Sequence, residues 1–177
     1  TSYETADERF EQSMEYNRQQ GITELSTPID FYQLFVMGDS HLGSSQNLSV
    51  FFADAIREKS LAVVLAGDLT TGQKSGFDEL AATLPSTDSL NYFGLAGNHD
   101  IYFDGWQHYR ALFGSSTYFF VVTTPAARDL FICLDTSGGT LGELQLEWFT
   151  TLLAEQRDAY RHCIVVTHNN LLRLRPT

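Results

Sequence analysis

Short apolar runs alternate along this chain with stretches in which apolar residues recur at helical spacing, and that alternation constrains the fold more than any other feature. Residues 31–37, 61–66, 91–96 and 163–167 read as strands. The second is apolar throughout, as a strand covered on both faces must be. Leu48, Phe51, Phe52, Ala55 and Ile56 have helical spacing, and residues 77–84 and 105–113 read as short helices, the latter starting after Asp104. Leu144, Trp148, Leu152 and Ala159 mark a helical stretch over 141–160. Strands 117–123 and 129–135 follow one another with only a turn around Pro125 between them, which adds antiparallel character. The chain is therefore expected to be α/β, with mixed sheets covered by helices.

A length of 177 residues suits one domain with a substantial core. Residues 1–30 are polar and weakly patterned, apart from a helix over 5–20 that carries Phe10 and Met14 on one face and stops at Gly21. They are expected to form an appendage packed on a body spanning 31–177. A formal charge of −11 argues against a nucleic-acid or anionic-membrane partner, since either would favour a basic face. No apolar run approaches the ~20 residues of a membrane span, and oligomeric state is left open. Thr1 in place of Met fits an exported bacterial protein, periplasmic or at the cell surface, trimmed of its signal; it fits a cloned cytoplasmic piece equally. Cys133 and Cys163 lie inside apolar strands and read as buried free thiols, with a disulfide between them left open.

What the strands end in is more specific. Val36-Met37-Gly38-Asp39-Ser40-His41, Leu65-Ala66-Gly67-Asp68, Gly97-Asn98-His99-Asp100 and Val165-Val166-Thr167-His168 each place oxygen or imidazole donors just past an apolar run. In open α/β sheets, ligands bind beyond the carboxyl ends of the strands. Singly, each has a plain explanation: Asp39 and Asp68 as helix caps, Asn98 as a turn residue, His168 as a strand-end histidine. Together, in order, they point to a metal site. Carboxylate, amide and imidazole donors suit Mn, Fe, Zn or Mg, and no thiolate competes.

These four segments resemble the motifs of the calcineurin-like metallophosphoesterase family, from about Phe31 to His168. The resemblance implies an α-β-β-α sandwich carrying two divalent metal ions at its strand ends. It implies Asp39 and His41 as ligands of the first metal, Asp68 as the bridging carboxylate, and Asn98 and His168 as ligands of the second. His99 then stands as the leaving-group acid and Asp100 as the residue holding its imidazole. The reaction implied is hydrolysis of a phosphomonoester or phosphodiester, in a phosphorylated small molecule or macromolecule, by water activated between the cations. Elementary chemistry agrees: two cations about 3.5–4 Å apart share a carboxylate more readily than an amide. An expelled alkoxide also needs a proton, which a histidine beside the site can give.

The family's later Gly-His-x-His segment is not present after His168, so the sandwich is expected to be incomplete at its C-terminus and its metals only partly held. An inactive or truncated member acting as a binding or accessory domain is the alternative. His108, inside a helix, and His162, at the far end of the strand that carries His168, are not expected to replace the missing pair. The aromatics after Asp100, Tyr102, Phe103, Trp106 and Tyr109, read mostly as core or loop packing, with Tyr102 or Trp106 a candidate for the substrate mouth. The Ser137-Gly138-Gly139-Thr140 loop reads as a strand-to-helix turn at the same kind of strand end. Neither G-x-x-x-x-G-K-[ST] nor G-x-G-x-x-G follows a strand, which disfavours a nucleotide-binding fold.

Overall fold

The apolar runs assemble into two sheets whose side chains alternate between a helix-covered face and a shared interior. The computed structural model describes residues 3–41 and 45–170. The C-terminal tail without a further histidine, 171–177, lies outside the described residues. The elements run α1 (Ala6–Gln20), β1 (Thr23–Ser26), β2 (Leu34–Met37), α2 (Ser45–Arg57), β3 (Ala62–Ala66), α3 (Lys74–Thr83), β4 (Asn91–Leu95) and α4 (Gly105–Phe113). β5 (Tyr118–Thr123), β6 (Arg128–Leu134), α5 (Glu143–Gln156) and β7 (His162–Thr167) complete the set.

One sheet has the order β2-β3-β4 and is wholly parallel. The other has the order β1-β5-β6-β7, and its β5–β6 pair alone is antiparallel. Mixed character is thus confined to one sheet. Along β3 the period of two is explicit. Val63 and Leu65 face α2, α3 and α4 in a core with Leu48, Phe52, Phe77 and Leu80, while Val64 turns inward to Phe120, Val122, Phe131 and Cys133. Phe93, Phe120 and Phe131 stack between the sheets, with ring centroids 3.8 Å and 4.8 Å apart. The outer face of the second sheet packs Val121, Leu130 and Ile132 against Leu152 and Trp148 of α5. The result is an α-β-β-α sandwich.

The expected helix over 5–20 is α1, opened by a capping box at Thr5 with Glu8 and closed at Gly21. Strand β1 was not anticipated. Leu25 is its only apolar residue facing the inter-sheet core, so no period is visible in the sequence, and pairing with β5 creates the strand. Residues 1–30 therefore contribute a sheet edge as well as a helix. Cys133 and Cys163 are free. Cys133 faces the inter-sheet core and Cys163 the α5 side, so the two thiols lie on opposite faces of one sheet. Burial pushes the Cys133 thiol up to about 12. Among the described residues, no helix is long and apolar enough to cross a membrane.

Candidate metal centre

Parallel strands β2, β3 and β4 end side by side, and their exit turns are stitched together. The amide of Asp39 donates to Gly67 O and that of His41 to Asp68 O, both at 2.9 Å. The amide of His99 donates to Asp68 Oδ1 at 2.8 Å. Asp68 is thus central because β3 is the middle strand. The side chain of Gly97 has to be absent: a Cβ there would fall 2.1 Å from Asp68 N and 2.2 Å from its Oδ1. Asp39, His41 and Asp68 have φ of 58°, 37° and 51°, left-handed values that side-chain-bearing residues adopt only under constraint. Such strain gathers at functional sites.

The two carboxylate oxygens of Asp68 face different partners. Oδ2 lies 3.5 Å from His41 Nε2 and 3.9 Å from His99 Nε2. Oδ1 lies 3.4 Å from His168 Nε2. Two sets of donor atoms each converge within 4.8 Å: His41, Asp68 and His99, and Asp39, Asp68 and His168. Asp68 belongs to both. Asp39, largely exposed, is also 3.8 Å from His41 Nε2, so it reaches either set.

His168 shows what the site lacks in itself. Its Nδ1 lies 2.9 Å from Ala66 O, which can only accept, so Nδ1 carries a proton. Nε2 faces Asn98 Oδ1 at 3.3 Å and Asp68 Oδ1 at 3.4 Å, and with the ring neutral it presents a lone pair to both. Three acceptors converge, an arrangement that a cation relieves. Two other buried aspartates have a cationic side chain as partner. Asp135 accepts from Arg9 Nε at 2.8 Å. Asp129 accepts from Arg161 and from the Tyr32 hydroxyl. Asp68 has only imidazoles and one amide around it, among the described residues. The oxygen and nitrogen donor set therefore fits divalent metals.

Asp100 departs from its expected part. Its buried carboxylate accepts from the amides of Leu69, Thr70 and Gly97 and from the Thr70 hydroxyl, at 2.7–3.1 Å. Among the described residues it makes no hydrogen bond to the His99 ring. It ties the β3 and β4 exit turns together and so holds Asp68 and Asn98 in register. Burial pushes its carboxyl up, against the lowering by those donors. The His99 ring instead packs edge-on to His41, at 4.7 Å between centroids, and against Tyr102 at 5.0 Å.

Trp106 is not at the mouth. It is buried, with Nε1 donating to Gln12 Oε1 at 2.7 Å. Tyr102 is there: it is 45% exposed, and its hydroxyl lies 3.5 Å from Asn98 Nδ2. His108 packs beside Phe77, and His162 opens β7 at the end away from the site. The Ser137 loop starts beside the segment that follows β7. Thr136 just before it takes both the amide and the side-chain Nδ2 of Asn169, next to His168, at 2.8 Å and 2.7 Å.

The family model described as calcineurin-like phosphoesterase matches residues 32–173. The chain belongs to that family. Its fold is also similar to the crystal structure of a dimetal phosphatase from Danio rerio, with 14% identity, a TM-score of 0.55, and coverage of 82% of this chain and 71% of that one. No curated protein matches the chain. Family membership supports metal-dependent hydrolysis of phosphorylated substrates in general, and the His and Asp groups at the strand ends are of the kind that hold divalent metal ions.

Proposed function

We propose that the chain hydrolyses a phosphomonoester or phosphodiester at a dinuclear centre, with Asp39, His41 and Asp68 holding one cation and Asp68, Asn98 and His168 the other. The observation that carries this reading is the meeting of His168 Nε2 with Asp68 Oδ1 and Asn98 Oδ1 at 3.3–3.4 Å, beside the His41 Nε2 that faces the other oxygen of Asp68. Divalent cations bound there supply Lewis acidity toward a phosphoryl oxygen and lower the pKa of water.

The residues do the rest. Ala66 O fixes the His168 tautomer and keeps Nε2 aimed inward. Asp68 offers one oxygen to each side of the centre. His99, anchored by its amide to Asp68 and about two-fifths exposed, presents its ring to the open side and gives a proton to the leaving oxygen. Asp100 acts through the turns and does not orient that ring.

One observation favours a second role for His99: its Nε2 converges with His41 and Asp68 as a ligand would. The leaving group separates the two. With Mn²⁺, wild type is expected to hydrolyse both 4-nitrophenyl phosphate and ethyl phosphate. As an acid, His99→Ala costs about 10²–10⁴-fold on the alkyl ester, whose leaving group needs the proton, and far less on the nitrophenyl ester. As a ligand, it costs both alike and lowers Mn²⁺ stoichiometry. Full activity in Asp68→Asn would sink the dinuclear reading. A wild type that neither binds Mn²⁺ nor turns over would favour the accessory-domain alternative.

A further inference from the structure

Beside the centre stands a feature the proposed hydrolysis does not use. From His99 a row of rings runs outward over the surface: His99 to Tyr102 at 5.0 Å between centroids, then Tyr102 to Phe103 at 6.5 Å. Tyr102 and Phe103 are 45% and 64% exposed, large apolar surface next to a polar cluster. Single exposed aromatics need no explanation, but this pair is held in place at a cost. Phe103 and Asp104 are consecutive left-handed residues, with φ of 54° and 65°.

The backbone beneath them is packed closely. At Gly72, with φ of +86°, a Cβ would lie 2.3 Å from Tyr102 O and 2.7 Å from His99 O, so only glycine lets the turn sit this low. The carbonyl of His99 also accepts from the Tyr102 amide at 3.2 Å. The same turn thus fixes the imidazole and the Tyr102 ring relative to each other.

Resting on the reading of His99 as the leaving-group acid, we infer that Tyr102 and Phe103 form a platform for a flat aromatic ring carried by the leaving alcohol. The atom that takes the proton from His99 belongs to the leaving group. Two rings pack against His99; His41 is assigned to a cation, so the substituent beyond that atom runs outward past the other, Tyr102. Phe103 extends the surface outward. A ring stacked there adds the binding of an aromatic contact, and an alkyl chain of the same charge does not.

The test compares benzyl phosphate with ethyl phosphate on the Mn²⁺-loaded chain, in wild type, Tyr102→Ala, Phe103→Ala and Tyr102→Phe. Wild type is expected to prefer the benzyl ester in kcat/KM. Tyr102→Ala should shrink that ratio roughly 10- to 100-fold, mainly through KM, and Phe103→Ala should shrink it less. Tyr102→Phe keeps the ring and should keep the ratio. A ratio unchanged in Tyr102→Ala overturns the platform. Adenosine 5′-monophosphate shows whether the ring surface reaches a base one sugar away or serves only a ring near the scissile bond. Calorimetry with benzylphosphonate and methylphosphonate, which are not hydrolysed, separates failure of the platform from failure of the reaction. Ring-dependent binding without turnover sinks the hydrolysis and keeps the platform, turnover without ring dependence does the reverse, and neither sinks both.

Discussion

Asp68 and Asp135 occupy equivalent places and have opposite fates. Each follows an apolar strand, Asp68 two residues after β3 and Asp135 directly after β6, and they are 4% and 3% exposed. Asp135 receives Arg9 Nε on Oδ2 and the amide of Ser137 on Oδ1, and Gln145 bonds its backbone on both sides. Among the described residues, Asp68 faces three imidazoles and no guanidinium or ammonium. A buried carboxylate with a fixed cation is a structural clamp. One without, faced by imidazoles and held by a single amide, leaves a charge that a cation from solution can balance.

The largest expected effects come from exchanging each carboxylate for an amide. Asp135→Asn leaves Arg9 buried without its counter-charge, and its Nη2 has no hydrogen-bond partner among the described residues as it is. Breaking such a pair costs about 3–5 kcal/mol, or a Tm drop of roughly 10 °C or more in a domain this size. Asp68→Asn relieves an unbalanced charge, so the metal-free Tm should hold or rise. Its activity should fall by more than the ~10–100-fold typical of losing a group that only supports a ligand. Thermal melts without metal, set beside Mn²⁺-dependent turnover, check both. If Asp68→Asn melts far lower than wild type, the contrast between the two residues is wrong.

Gly97→Ala probes the crowding around Asp68 alone. The added Cβ meets backbone and carboxylate, neither of which can swing aside, and overpacking of this kind costs about 1–3 kcal/mol. Mn²⁺ affinity should fall with stability, because the displaced atoms are the ligand's own. Titration with Mn²⁺ reads this directly. An unchanged affinity would mean that the turn relaxes without moving Asp68.

A third buried aspartate, at the opposite end of β6, sharpens the comparison through pH. Burial pushes the Asp129 carboxyl up, but Arg161, the Tyr32 hydroxyl and the His162 amide outweigh it and leave it below the usual range. A lowered folded pKa contributes stability that is fully present above the unfolded value of about 3.9 and is lost as pH falls through the folded one. Acid melts should therefore show wild type losing stability below about pH 4, and Asp129→Asn, already less stable at neutral pH, losing less over the same window. Parallel acid limbs would remove Asp129 from the account.

Every strand but β1 was legible because its run is apolar and short, and the placing of Asp39, His41, Asp68, Asn98 and His168 at strand ends was legible because each follows one. The role of Asp100 was not. A carboxylate one residue from a histidine reads as its partner, while the amides that claim it come from Leu69 and Thr70, about thirty residues earlier. Arg9 was invisible for the same reason, since 126 residues separate it from Asp135 and a polar helix gives no hint of a buried guanidinium. Trp106 looked like a mouth residue because composition around a motif does not reveal which aromatic turns inward. Strand β1 carries one apolar inward residue, and a single residue has no period. Local pattern shows where donors end up; the distant partner decides whether a charge is settled or open.

The smallest effect tests how far the clamp and the centre are independent. Helix α1 brings Arg9 to Asp135 and is opened by Thr5, whose hydroxyl accepts from the Glu8 amide at 3.2 Å. Thr5→Ala removes that cap and should cost about 1 kcal/mol, a Tm shift of roughly 2–4 °C. The frayed first turn loosens Glu4 O, which accepts from Arg9 Nη1 at 2.7 Å, so the loss reaches the clamp. None of the donors facing Asp68 belongs to α1, so Mn²⁺ affinity should stay within about twofold, below the ~10–100-fold that weakening a ligand's support brings. Affinity could fall along with Tm by one route, from Asp135 through Thr136 and Asn169 to His168. A fall of that kind would show that the settled carboxylate helps to aim the open one's ligand, and that the two strand ends act as one unit.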